Sequence, residues 1–321
     1  MKFISIVLVL LFGPHNFDSQ TLMSQSEVQA LWKEYAQRGD VLVSDIRPKF
    51  RRVLDSHDKA RESGLEYQFI VTGNTNAFAR PDGHTIITSS FLQIIDSMAT
   101  VMSAAQTFNK PACLGSYIEY LAAGTRENSR LVVHKHQPKP VAMAFGYWQI
   151  NPSVCGGLSE AAFRSNKKAD DLRELMIYAS VIYLIGHEFA HHKYHDDEFT
   201  EVTPEQRQLH IAQGLDVSRE VIPSEQVIKE QRADLFAFHK MIEMDYPPLA
   251  AMPVLVFFLG LEGYSPEQSI NADHPAAVVR FSDMISTTEG DSEFQELIHQ
   301  HNLDQQWAQF VLFGKQLQAE Q

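Results

Sequence analysis

Six residues near the middle of the chain, Gly186-His187-Glu188-Phe189-Ala190-His191, have the types and the spacing to do chemistry. Residues four apart on a helix lie on one face about a turn apart. His187 and His191 can therefore offer imidazole nitrogens to a single Zn²⁺ at roughly 2.0–2.1 Å. Glu188 then stands beside the metal, placed to take a proton from a metal-bound water. Such a string can also arise by chance in a chain with 14 histidines, so its surroundings decide. Two histidines and a glutamate at the end of an apolar helix are costly to bury unless something binds them, and a divalent cation is the simplest partner.

A catalytic zinc needs three protein ligands and one open position. A second predicted helix, from about Ser224 (as N-cap) to Met244, supplies the third. Along it Val227, Glu230, Asp234, Phe238 and Met241 share a face, so two acids interrupt an apolar stripe. Glu230 fits as the third ligand. Asp234, one turn on, can accept the outward N–H of a ligating histidine and hold its tautomer. The alternative is a solvent-facing pair of acids at i, i+4. His192 and His195 lie nearby, but His192 is turned about 100° from His191, and both read as polar residues where the helix leaves the core.

The elements that must position these groups can be read from periodicity. Leu172, Leu175, Met176, Ala179, Tyr183 and Gly186 recur at helical spacing, and Leu175 to Ile185 is apolar almost all round, which marks a buried helix. Upstream, residues 24 to 64 carry two amphipathic stripes. Tyr67–Thr72 and His84–Thr88 read as a hairpin-like pair of strands, with Asn76–Ala79 and the turn Arg80-Pro-Asp-Gly83 between them and a helix from Ser90 to about Met98 after them. Such a strand beside a zinc helix can hold an extended peptide by strand addition; standing alone it is an ordinary core hairpin. Residues 99–165, broken by Pro111, Pro138, Pro140 and Pro152 and several glycines, read as an irregular insertion that lines the site, covers it or packs as an accessory lobe. Val141–Trp148 within it suggests a strand or a buried connector. Residues 200 to 224 read as a polar, mobile connection, Met252–Leu261 as a core helix too short for a membrane span, and Phe294–Leu317 as amphipathic helix. Between the last two, Asn271-Ala-Asp273-His274-Pro275 holds His274 in a turn stiffened by proline.

The formal charge of −13 argues against nucleic acid, since no basic stretch offsets it. Two cysteines, Cys113 and Cys155, are too few for a disulfide framework and are not spaced as metal ligands; they either form one bridge or stay as two thiols. Met1-Lys2 followed by the apolar run Phe3–Phe12 has the pattern of a secretory signal. The small Gly13 is followed by Pro14, a poor cleavage context. Residues 1–20 are thus expected to be a signal peptide, or a membrane tether through residues 3–12, with one peptidase-like domain at 21–321 exported to a periplasmic or extracellular space.

Taken together, His187-Glu-Phe-Ala-His191, Glu230-Gln-Arg-Ala-Asp234, Asn76-Ala-Phe-Ala79 with Gly83-His-Thr-Ile-Ile-Thr88, and Asp273-His-Pro275 resemble the M48 family of zinc metallopeptidases, gluzincins of the HtpX, Ste24 and Oma1 type, and follow that family's order along the chain. The resemblance covers roughly residues 65–98 and 172–285. It implies an α+β fold, mostly helical and zincin-like, with a small sheet beside the zinc helix. It also implies a zinc endopeptidase acting on protein or peptide substrates, with one Zn²⁺ held by His187, His191 and Glu230, Glu188 as base, and Asn76 and His274 facing the cleft. A role in envelope protein quality control would suit such an enzyme. The chain departs from the family in lacking its transmembrane helices and in the long 99–165 insertion. Two other readings share the residues: a zinc-bound, chaperone-like peptide-binding module that does not hydrolyse, which has no need of Glu188, and a Lit-like protease with one specific target.

Overall fold

The structure, a computed structural model, describes residues 24–73, 75–134, 136, 141–196, 200–221, 223–262 and 277–319. Helix dominates it, with a small three-stranded sheet, so the class is α+β. The apolar start and His274 both lie outside the described residues.

Helix α1 (Gln25–Arg52) opens on a capping box in which Ser24 and Glu27 each bond the other's backbone N–H. Helix α2 (Ser56–Glu62) is capped by Asp55. The strands β1 (Glu66–Ile70), β2 (Ala77–Ala79) and β3 (His84–Thr88) follow. Their order is β1-β3-β2, with β1 parallel to β3 and β2 antiparallel to it. The expected pairing of 67–72 with 84–88 as a hairpin is thereby corrected. The hairpin is β2–β3, closed by a turn whose Gly83 sits at φ 86, a left-handed conformation that glycine adopts at no steric cost. Strand β3, buried along most of its length, takes the centre because its Thr-Ile-Ile-Thr run gains most from neighbours on both edges. The chain must then cross over after β1, which leaves β1 parallel to it.

Helix α3 (Ser89–Thr107) continues past the expected end, and α4 (Pro111–Val133), α5 (Ala144–Ile150) and α6 (Glu160–Ser165) fill the region read as irregular. That expectation is corrected for a physical reason. Pro111 stands at the first position of α4, where its missing N–H costs nothing. The glycines within α4 are tolerated because that helix packs on α3 and α10, described below, and burial outweighs propensity. Cys113 in α4 and Cys155 are joined by a disulfide, with Cα atoms 4.8 Å apart. Val141–Trp148, expected as strand or connector, is mainly the start of α5.

Helix α7 (Lys167–Tyr194) is the axis of the molecule. Asn166 caps its start by accepting the Ala169 N–H. From Ala179 to His192 every residue is buried, with α3 on one side and α9 on another. A buried ion-pair network fixes its first half: Asp96 of α3 accepts from Arg173 of α7 and from Arg38 and Tyr35 of α1. The carboxylate has a donor on every side, so burying it is not prohibitive. The connection after α7, read as a polar link, holds β4 (Thr200–Glu201), α8 (Pro204–Ala212) and β5 (Glu220–Val221), with β4 and β5 paired in parallel. Helix α9 (Pro223–Glu243) begins one residue before Ser224, so Ser224 is inside the helix and not its N-cap. A short 3₁₀ turn (Pro248–Ala251) leads into α10 (Met252–Glu262), whose first six residues are buried in the core. Helices α11 (Ala277–Gly290), α12 (Ser292–Gln300) and α13 (Asp304–Ala319) close the chain. Among the described residues no helix is long and apolar enough to cross a membrane.

Candidate metal centre

Helices α7 and α9 pack side by side where their side chains are small. A Cβ on Gly186 would stand 3.1 Å from the Ala237 Cα and 3.2 Å from its Cβ, and Ala190 and Ala233 nearby are fully buried. This close approach brings Glu230, nearly two turns before Ala237, over the face of α7 that carries His187 and His191.

All three side chains are buried, Glu230 at 1% exposure. The two Nε2 atoms are 3.1 Å apart. His187 Nε2 lies 3.3 Å from Glu230 Oε2, and His191 Nε2 lies 3.4 Å from Glu230 Oε1. The carboxylate thus faces each imidazole with a different oxygen, and one donor atom from each of the three residues lies within 4.8 Å of the others. This buried group can hold a metal ion. Burial alone would push the His187 imidazole down, but Asp234 and Glu230 outweigh burial and hold it up at about 10. Two carboxylates around one imidazole favour positive charge between them.

The far nitrogens of both histidines also face carboxylates. His187 Nδ1 is 2.8 Å from Asp234 Oδ1, where the sequence places an orienting acid, and the Tyr183 hydroxyl donates to the same oxygen. His191 Nδ1 is 3.4 Å from Asp196 Oδ2, and Arg232 donates to both oxygens of Asp196. Sequence reasoning missed Tyr183, Asp196 and Arg232. Tyr183 carries a signal, since it precedes His187 by four residues and shares its face. Asp196 carries none, because only the turn after α7 brings it back.

Glu188 is buried beside the ligand face, 3% exposed. The sheet lies over that side of α7: Thr85, paired with Tyr67 across β1 and β3, has its hydroxyl 3.2 Å from His192 Nε2. His192, one turn after Glu188, thus points to the sheet and not to His187 and His191. His195 follows α7 in a left-handed conformation, φ 60, with Nε2 3.3 Å from the Arg61 guanidinium. Asn76 stands at the entrance to β2. Its Oδ1 accepts the Ala77 N–H and its backbone bonds Thr88, contacts that tie it to the sheet. Among the described residues, then, the structure gathers His187, His191, Glu230 and Asp234 at one place, with Glu188 next to His187 in sequence and buried.

The fold and the site together define a mostly helical α+β protein with a buried His-His-Glu cluster that could hold a metal ion. Compared with protein-family models, with curated proteins and with solved structures, the chain matches none.

Proposed function

We propose that the protein is a zinc-dependent endopeptidase of the M48-like, zincin type, cleaving peptide bonds of protein substrates. The observation that carries this reading is the buried cluster of His187, His191 and Glu230, with one donor atom from each within 4.8 Å of the others, and with an acid next in sequence to the first histidine. Each imidazole has Nδ1 close to a carboxylate, a charge that would favour the Nδ1 proton and leave the Nε2 lone pair for a cation. Zinc bound there would supply Lewis-acid polarisation of the scissile carbonyl and a water of lowered pKa. Glu188 would accept the proton of the attacking water and pass it to the leaving amine. The buried setting of Glu188 strengthens its electrostatic action and keeps bulk water from competing for the proton. The outer edge of β2, which among the described residues pairs with β3 alone, can align an extended substrate by backbone hydrogen bonds. Export fits the Cys113–Cys155 bridge, since disulfides persist in oxidising compartments.

Glu188→Gln is the test, because it keeps shape and ligands while removing the base. The expected outcome is zinc content equal to wild type and loss of casein or model-peptide cleavage by a factor of about 10² or more. A variant that cleaves at the wild-type rate removes the peptidase reading. A wild-type protein that binds unfolded chains without cutting them would favour the chaperone-like module instead.

A further inference from the structure

Asp196 lies five residues beyond His191, past the end of α7, and nothing in its spacing suggests a part in the site. Three features bring it back. The chain leaves α7 through His195 in a left-handed conformation, φ 60 and ψ 29, with the His195 N–H bonded to the His191 and His192 carbonyls. Non-glycine residues adopt that conformation seldom, and here it reverses the chain against the helix end. Asp196 is next, its side chain 4% exposed, with Oδ2 3.4 Å from His191 Nδ1. Arg232 meets the same carboxylate with Nη2 at 2.7 and 2.9 Å from its two oxygens. Its guanidinium also lies over the Tyr194 ring, 4.0 Å from the centroid. Lys229 Nζ stands 3.8 Å away on the far side.

We infer that Asp196 is a positioning residue for His191, held in place by Arg232, and that α9 therefore builds the centre twice: through Glu230 and, two residues on, through the cation that fixes the carboxylate behind the opposite ligand. The inference rests on the reading that His187, His191 and Glu230 bind a divalent cation. A carboxylate beside Nδ1 keeps the imidazole proton there and sets the ring's rotation about Cβ–Cγ, so Nε2 faces the cation with its lone pair. At 3.4 Å the contact is at the long end of hydrogen bonding, so much of its effect is the electrostatic choice of tautomer, which falls off slowly with distance. Asp234 occupies the corresponding place beside His187, 2.8 Å from Nδ1. The two differ in what holds them: a neutral phenol, Tyr183, on Asp234 and a cation on Asp196. The pairing of Asp196 with Arg232 also fastens the end of α7 to α9, so a purely structural role is the alternative to be separated.

The experiment is zinc affinity of the full chain by competition with a chromogenic chelator, together with the visible spectrum of the Co²⁺-loaded protein and the thermal melt of the metal-free protein. Wild type, Asp196→Asn, Asp196→Ala, Arg232→Ala and the distant control Asp216→Asn are compared. Asp196→Ala should bind zinc about 10–100-fold more weakly, with Asp196→Asn between it and wild type because its amide oxygen still accepts from Nδ1. Arg232→Ala should weaken binding less and shift the Co²⁺ bands in the same direction. Asp216→Asn should change nothing. If both Asp196 variants bind zinc as wild type does with unaltered Co²⁺ bands, the positioning role is overturned, even where the metal-free melt is lowered. Should Asp196→Ala fail to fold, the near-isosteric Asp196→Asn decides alone. A wild-type chain that takes up no zinc or Co²⁺ overturns the metal-centre reading and this inference with it, so the two failures are distinct.

Discussion

Gly186→Ala tests the geometric basis of the site without touching a ligand. In isolation the change favours the helix by about 0.8–1.0 kcal/mol, the propensity difference between glycine and alanine. In place, the new methyl meets the Ala237 Cα at 3.1 Å and its Cβ at 3.2 Å, with Phe50 Cε2 at 3.7 Å. Relaxed carbon–carbon contact begins at about 3.5 Å, so α9 must withdraw from α7 by about 0.4 Å. Overpacking of this kind costs about 1–3 kcal/mol, which leaves a net destabilisation of roughly 0–2 kcal/mol once the propensity gain is set against it. The larger effect falls on the proposed metal site. Glu230 rides on α9 and the histidines on α7, and a shift of about 0.4 Å exceeds the roughly 0.2 Å latitude of metal–ligand bonds. A misplacement of 1 Å at a functional site costs about 10²-fold; scaled to this shift, zinc affinity should fall about five- to tenfold. Isothermal titration with zinc against a competing chelator reads the affinity, and far-ultraviolet dichroism with a thermal melt confirms the fold. Wild-type affinity in a folded Gly186→Ala protein would refute the argument that this crossing sets the ligand spacing.

Two further outcomes follow from groups away from the centre. Replacing Cys113 by Ser opens a loop with a sequence separation of 42 residues, and the chain-entropy estimate puts the loss at about 4 kcal/mol; the urea midpoint should fall accordingly, and an unchanged midpoint would show that the bridge contributes nothing. His239 on α9, with its ring centroid 4.8 Å from that of Phe294, has its pKa lowered by burial, which outweighs Asp291 and Glu243 nearby. The unfolded chain therefore takes up this proton first as pH falls. The stability that His239 contributes is complete above its ordinary 6.5 and erodes below it, so His239→Phe should lose less stability than wild type between pH 7.5 and 5.5 in urea titrations. Parallel losses would remove burial of His239 as the cause.

What can be read along the chain is what depends on local spacing. The repeat from Leu172 to Gly186 is enough to call a buried helix, because an apolar run with helical period can shed water only by being enclosed. His187 and His191 share a face by geometry of the helix alone, and the acids at Glu230 and Asp234 stand out because carboxylates in an apolar stripe need a partner. The mostly helical α+β class, which the family resemblance implies, is the class the structure shows. Four other things needed the tertiary structure. Strand order was one: alternation identifies β1 and β3 but does not say which neighbour each pairs with or in what direction, and the burial of β3 decided it. The 99–165 region was another, since proline and glycine weaken a helix by amounts that packing on α3 and α10 overrides. The bridging of Cys113 and Cys155 depends on how α4 and the loop beside it fold together. Last is the His187, His191 and Glu230 cluster itself. Glu230 reaches both histidines because Gly186 and Ala237 let two helices almost touch, and Asp196 reaches His191 only because the chain turns left-handed at His195. Helical periodicity says which face a side chain occupies; how near two faces come, and what a turn folds back onto them, is settled by packing.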